Sequence, residues 1–381
     1  MREADLRAFW ASRFSIRSYR TEEGKEVFVK FPGFESEGAG PDFTKATIVF
    51  GGLEQRGDVE VHRRRGDWRA HGHHCDPRYE GVILHVVLRP EGPRAKTALG
   101  REVPTISLLR NLGDMLEGLV MRAKEEAERP CPFAPPGSSL EAALDELSVE
   151  RLRRKASRFR KEIEGGKSPD QAFYEGLAEA LGYIKNRRPM LELAKALPFS
   201  RARTFRDMLE LSRLMLRTAS EVRGWSIWGT RPPNFPLPRI RGLSALAIRF
   251  SKEGFLGPLV RALERPRKLV DLFLVKGMVG EGRARVVAIN VALPFVLAVR
   301  PDLCGEVLRA WRSLPPEPEN RILRMMKRKL LERDKERKRL LKRAHLRQGL
   351  LELYHRYCFL PLCQRCPLRG EGETARPSQT A

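Results

Sequence analysis

The residues with the most chemistry in them lie between Asp42 and His85. Asp42 follows Gly40-Pro41 at the head of an alternating apolar run, and Glu60 and His62 stand two apart in the next such run. Side chains two apart on a strand leave the same face. A turn at Gly51-Gly52 lays the two runs antiparallel, so Asp42, Glu60 and His62 converge at one end of a hairpin. Two carboxylates and an imidazole are the minimum for holding Mg²⁺ or Mn²⁺ against a phosphate, with the imidazole orienting or deprotonating water. Five of the seven histidines, His62, His71, His73, His74 and His85, fall within 24 positions. On an extended segment His71-x-His73 points both rings to one side, the spacing of a transition-metal pair, and with Asp42 and Glu60 it composes an alternative zinc or manganese site. Asp67 and Asp76 are close enough in sequence to fix imidazole tautomers. His85, flanked by Val82-Ile83-Leu84 and Val86-Val87, reads as a core residue, while His74 and Cys75 suggest no role.

A second candidate metal site is Cys358-x4-Cys363-x2-Cys366-Pro367, with Cys131 as a fourth ligand. The spacing suits an iron–sulfur cluster or Zn²⁺. Six unevenly spaced cysteines without secretory context argue for thiols or metal ligation in a reducing compartment rather than for a disulfide framework. Cys304 reads as a buried hydrophobe.

The elements that must position these groups fall into two parts. Leu6, Phe9 and Trp10 have helical spacing, and strand-like runs follow at Val27–Phe31, Phe43–Phe50, Asp58–Arg63, Val82–Leu88 and, more weakly, Val103–Leu109. Residues 1–128 are thus expected to form a mixed sheet with few helices. Proline and glycine crowd residues 129–139, which read as a linker. Residues 140–370 carry helical signals, among them a capping box at Ser168-Pro169-x-Gln171 and helices near Phe205–Val222, Arg239–Phe250 and Pro301–Leu314. Residues 371–381 read as a disordered polar tail. The expected class is α+β, a mixed sheet followed by an all-α domain.

The formal charge of +24 attracts polyanions, which makes nucleic acid the expected partner. From Arg321 to Arg347 there are thirteen Lys and Arg against three acids, with Leu323, Met326 and Leu330 on one narrow stripe. This is expected to be a basic helix docked by one edge, presenting Lys327, Arg328, Arg337 and Arg339 to phosphates. The stretch from Arg231 to Arg239 is proline-rich and flanked by Trp225 and Trp228. Arg231, Asn234 and Arg239 there could clamp a phosphate while an aromatic ring stacks on a base. The N-terminus lacks a signal-peptide pattern. The apolar stretch Val286–Val299, interrupted by Asn290 and Pro294, is too short to span a bilayer and is expected to be a core helix. A cytoplasmic protein without membrane contact is the expectation.

Pro41-Asp42 opening one strand and Glu60-x-His62 on the next, after a leading helix and strand, resembles the PD-(D/E)xK nuclease core, with a restriction-endonuclease-like fold implied. His62 stands where that family has lysine, and an imidazole does not supply lysine's fixed charge at neutral pH. A nearer resemblance runs through Gly40-Pro41-Asp42-Phe43, Val59-Glu60-Val61-His62, Trp68-x-x-His71-Gly72-His73 and Val82–Val87. It continues through Arg231-Pro232-x-Asn234-Phe235-Pro236, Asn290-x-x-x-Pro294 and the C-terminal cysteines. Together these strings resemble the bacterial family known as domain of unknown function 2851, which implies a shared fold and shared polar positions. Three functions are therefore expected to compete: a metal-dependent nuclease using Asp42, Glu60 and His62; a zinc or manganese hydrolase of a smaller substrate using His71 and His73; and a non-catalytic nucleic-acid-binding protein.

Overall fold

The computed structural model describes residues 1–36, 40–227, 234–331, 335–359 and 362–369. Arg231, Trp228 and the 371–381 tail lie outside the described residues. The chain divides into two compact units, the first built on Met1–Arg129 and the second on Pro130–Cys358 and resuming at Leu362. The architecture is α+β, with the sheet in the first unit and helices throughout the second.

The first unit opens with helix α1 (Glu3–Trp10), whose Leu6, Phe9 and Trp10 are spaced to share one face and are all fully buried. Seven strands follow: β1 (Ser18–Arg20), β2 (Glu26–Phe31), β3 (Phe34–Glu35), β4 (Phe43–Phe50), β5 (Leu53–Arg64), β6 (Val82–Arg89) and β7 (Thr105–Ser107). They form one mixed sheet in the order β1-β2-β4-β5-β6-β7, with β3 pairing β4. The pairs from β1 to β5 are antiparallel, whereas β5, β6 and β7 run parallel. The β4–β5 turn is the expected one. Gly51 and Gly52 have φ of 53° and 88°, and Phe50 pairs with Leu53, the two-residue hairpin in which both central residues need positive φ.

Alternation along the strands sorts the side chains. Ile48 on β4, Val59 and Val61 on β5, and Leu84 and Val86 on β6 are fully buried in the core that includes α1. Each such burial contributes about 1.5–3 kcal/mol. Glu60, His62 and His85 alternate with them and so leave by the other face. That face is covered by the β5–β6 connection, which holds the short helix α2 (Asp67–Ala70) and two 3₁₀ turns, His73–Cys75 and Pro77–Tyr79. Trp68, Tyr79, Val82, Ala95 and Val103 make a small separate core there. After β7 come α3 (Leu108–Leu112) and α4 (Met115–Glu128), and α4 adds Leu116 and Val120 to the main core.

The second unit is organised on α5 (Gly137–Glu164), which begins within the expected linker. The helix α6 (Pro169–Leu181) starts at Ser168, whose hydroxyl accepts the Gln171 amide at 3.2 Å. The reciprocal half of the expected capping box does not form, because the Gln171 side chain instead donates to Glu175 and to the Ala194 carbonyl. Among the described residues the basic stretch lies in three helices, Arg321–Leu330, Lys335–Leu340 and Ala344–Leu353. Leu330, Leu331, Leu340 and Leu341 are all buried in the core of this unit. Glu281–Val299 is long and apolar enough, by length and composition, to cross a membrane, and 61% of its most apolar window is buried within this unit. A π-helical turn, Ala288–Ala292, interrupts it at Asn290.

Candidate metal centre in the histidine cluster

β5 carries Glu60 and His62 side by side on one face, and the parallel register sets Glu60 opposite His85 of β6. His62 Nδ1 lies 2.9 Å from His85 Nε2, a hydrogen bond in which the two rings share one proton. His62 Nε2 lies 3.1 Å from His71 Nδ1 and 3.3 Å from Glu60 Oε1, and His73 Nε2 approaches the same oxygen at 3.2 Å. His71 and His73 arrive differently from the expected extended segment. His71 ends α2, Gly72 takes φ of 76°, and His73 opens a 3₁₀ turn. The left-handed residue reverses the chain so that both rings still face the centre, and glycine takes that conformation without the cost a side chain would add. One nitrogen from each of His62, His71 and His73 lies within 4.8 Å of the other two.

These groups have little access to water. Glu60, His62, His73 and His85 are all buried, and only the His71 ring is exposed. Burial, reinforced by the neighbouring imidazoles, pushes His62 down to about 2; burial takes His73 to about 4 against the nearby Asp76 and Asp42, and burial, aided by His73 and Arg65, takes His85 to about 3. Burial raises the Glu60 carboxyl to about 8, against the Asp42 amide that donates to it. The Glu60–histidine contacts therefore have ion-pair distances without ion-pair charges. His73 Nε2 is close to Glu60 Oε1 yet lacks an aligned hydrogen-bond partner. Three imidazole nitrogens and a carboxyl oxygen converge here, the set of donor atoms that a divalent cation binds once it displaces the protons among them.

Asp42 is placed at the mouth of the hairpin as expected, but its carboxylate faces other partners. Oδ2 accepts the Val61 amide at 3.2 Å, and Oδ1 pairs with Arg7 of α1 at 3.1 Å. Its own backbone amide donates to Glu60 Oε2 at 2.8 Å, which leaves Glu60 Oε1 for the centre. Burial and the nearby Glu60 raise Asp42 to about 7, with Arg7 opposing. His85 is fully buried as read from its flanks, and it also touches the cluster. Asp67 and Asp76 do not orient the imidazoles, because Asp67 accepts the Arg64 amide and Asp76 is taken by Arg78. Arg7 and Tyr79 were not expected here. Tyr79 stacks on His73 with ring centroids 3.8 Å apart, and nothing in the spacing of either residue signals its role.

With this geometry in place, comparison with known proteins gives one match, to the family model described as "Protein of unknown function (DUF2851)", over residues 3–220. The chain belongs to the DUF2851 family. No curated protein and no solved structure matches it. The matched span includes the whole histidine cluster and Cys131, whereas Cys358, Cys363 and Cys366 lie beyond it.

The expected phosphate-binding residues of this DUF2851 protein are distributed unevenly. Arg239 lies on the buried face of the helix Pro236–Arg249, where its guanidinium donates to the Met278 carbonyl at 3.0 Å and to the Asn234 side chain. Arg239 is buried there, and Asn234, just before the helix, is half-buried and accepts from it. Trp225 donates to the Ala219 carbonyl rather than presenting a free edge. Lys327 faces Glu319 at 3.9 Å and half-buried Arg337 donates to the Leu330 carbonyl, while Arg328 and Arg339 are exposed. Cys304 is half-buried and packs against the helical core.

Proposed function

We propose that the N-terminal unit is a metal-dependent phosphodiesterase acting on nucleic acid, with one Zn²⁺ or Mn²⁺ held by His62, His71, His73 and Glu60. The observation that carries this reading is that one nitrogen from each of His62, His71 and His73 lies within 4.8 Å of the other two, with Glu60 Oε1 3.3 Å from His62 Nε2 and 3.2 Å from His73 Nε2. A tetrahedral ion with bonds of about 2.0–2.1 Å would draw such ligands to roughly 3.3 Å apart. Three nitrogens and one oxygen favour zinc or manganese over magnesium, which prefers an oxygen shell and keeps its waters.

The chain's own groups divide the work. With the His62 Nδ1 proton directed to His85, the Nε2 lone pair faces the centre, and the hydrogen bond raises its basicity. The Asp42 amide holds one oxygen of Glu60 and so aims the other. Arg7 and the Val61 amide fix Asp42 at the strand start. A bound ion would polarise a phosphoryl oxygen and lower the pKa of its water to about 7. His71, the exposed ligand, marks the side from which substrate enters. Exposed Arg63, Arg64 and Arg69 flank that side in sequence, which supports a polyanionic substrate. The strand order also supports it: Pro41-Asp42 opening β4, Glu60 on antiparallel β5 and then parallel β6 is the order that the nuclease resemblance implies.

The test incubates full-length protein with single- and double-stranded DNA and RNA in Zn²⁺, Mn²⁺ or Mg²⁺, beside His71→Ala. Cleavage that needs Zn²⁺ or Mn²⁺ and is lost in the variant is expected. Absence of cleavage in every metal, or full cleavage by His71→Ala, would refute the enzymatic reading, and salt-dependent binding without cleavage would leave a nucleic-acid-binding protein in its place.

A further inference from the structure

In the helical unit Cys131 and, more than two hundred residues later, Cys358, Cys363 and Cys366 line one cavity of about 30 Å³. Cys131 is brought there by its backbone amide, which donates to the Lys329 carbonyl at 2.9 Å and ties the start of the unit to the helix Arg321–Leu330. Cys358 closes a π-helical turn, Tyr354–Cys358, a geometry that recurs at functional sites. Cys363 opens a 3₁₀ turn, and the Cys366 amide donates back to the Cys363 carbonyl at 3.3 Å. The remaining wall is apolar, with Phe133, Leu330, Leu353 and Leu368, and one cation, Lys329, joins it.

We propose that Cys131, Cys358, Cys363 and Cys366 hold a [4Fe–4S] cluster that staples the start of the helical unit to its C-terminal segment. Four cysteines from two distant parts of the chain around one apolar cavity give the ligand number of such a cluster, and the x4 then x2 spacing gives a recurrent order. Lys329, which lines the same cavity, offsets part of the negative charge of four thiolates.

The test is made on full-length protein produced with iron supplied and purified without oxygen. Iron and acid-labile sulfide near four each per chain, with visible absorption that bleaches on reduction, are expected. Cys131→Ser should lose most of the iron, whereas Cys304→Ser should keep it. If Cys131→Ser is insoluble, alkylation of the wild-type chain decides. Cys75 and Cys363 are both exposed, and Cys363 alone should be protected until iron is stripped by a chelator. Zinc in place of iron, no metal, full iron in Cys131→Ser, or equal alkylation of Cys363 and Cys75 in the iron-loaded chain would each overturn the proposal.

Discussion

Replacing His85 by Leu separates a metal centre from a merely packed histidine cluster. His85 is fully buried, its Nε2 is 2.9 Å from His62 Nδ1, and its Nδ1 has no partner. In the metal-free protein the substitution leaves His62 Nδ1 unpaired, at about 1–3 kcal/mol, but it also removes the orphaned Nδ1 of His85 and adds apolar contact, so the two effects nearly cancel. Metal binding has no such offset. Losing the group that orients a ligand imidazole costs 10–100-fold in affinity, about 1.4–2.7 kcal/mol. By linkage a saturating metal then stabilises the variant less by that amount. For a unit of about 130 residues, an unfolding entropy of about 2.1 cal/mol/K per residue converts this into a Tm rise smaller by about 5–10 °C. The assay follows Tm with and without Co²⁺, a visible stand-in for Zn²⁺, and measures affinity by chelator competition. A Tm rise and an affinity equal to wild type would refute the assignment of His85 as the partner that aims His62.

Glu60→Gln should reduce metal affinity and phosphodiester cleavage by more than about 100-fold, because the amide lacks the charge the ion needs; Asp42→Asn should keep the metal and lose less than about tenfold in rate, since its side-chain oxygen can still accept the Val61 amide. Equal losses in metal-titrated rate assays would restore Asp42 as a ligand. Gly349→Ala should destabilise the helical unit by about 3 kcal/mol or more, because the added Cβ would overlap the Leu144 carbonyl oxygen of α5 and neither backbone can yield; an unchanged urea midpoint would contradict this close approach. Burial, aided by Arg151, takes His355 from its ordinary value of about 6.5 to about 4. Its folded pKa is depressed, so the unfolded chain takes the proton first, and stability falls as pH drops from 6.5 towards 4 by up to about 3 kcal/mol. Urea unfolding at both ends of that window should show a smaller loss in His355→Gln than in wild type, and an identical loss would remove His355 from the account.

The strands that build the site were legible because apolar residues alternate on β2, β4 and β6, and because Gly51-Gly52 admits few turns. Register then followed, and it set Asp42 beside Glu60. What the spacing could not convey was direction within the site. Arg7 takes Asp42 from a helix whose sequence pattern reports only its buried face. The reversal at Gly72 turned a pair read as extended into a turn without separating the rings. Arg239 looked available because a proline-rich stretch precedes it, yet it falls on the inner face of the next helix. Charge runs mislead for a related reason: between Arg321 and Arg347 the arginines are conspicuous, but it is the leucine pairs that the core buries. Cys131 was the one long-range pairing that residue type alone could anticipate, because thiols are few.

The central claim is a nitrogen-rich metal centre at His62, His71, His73 and Glu60, and a Co²⁺ titration of the chelator-stripped full-length protein tests it most directly. The account predicts visible d–d bands of a low-symmetry site without thiolate-to-cobalt charge transfer, saturating at one equivalent and abolished in both His71→Ala and Glu60→Gln. Thiolate charge transfer with the first equivalent, or a spectrum unchanged by those two substitutions, would contradict it.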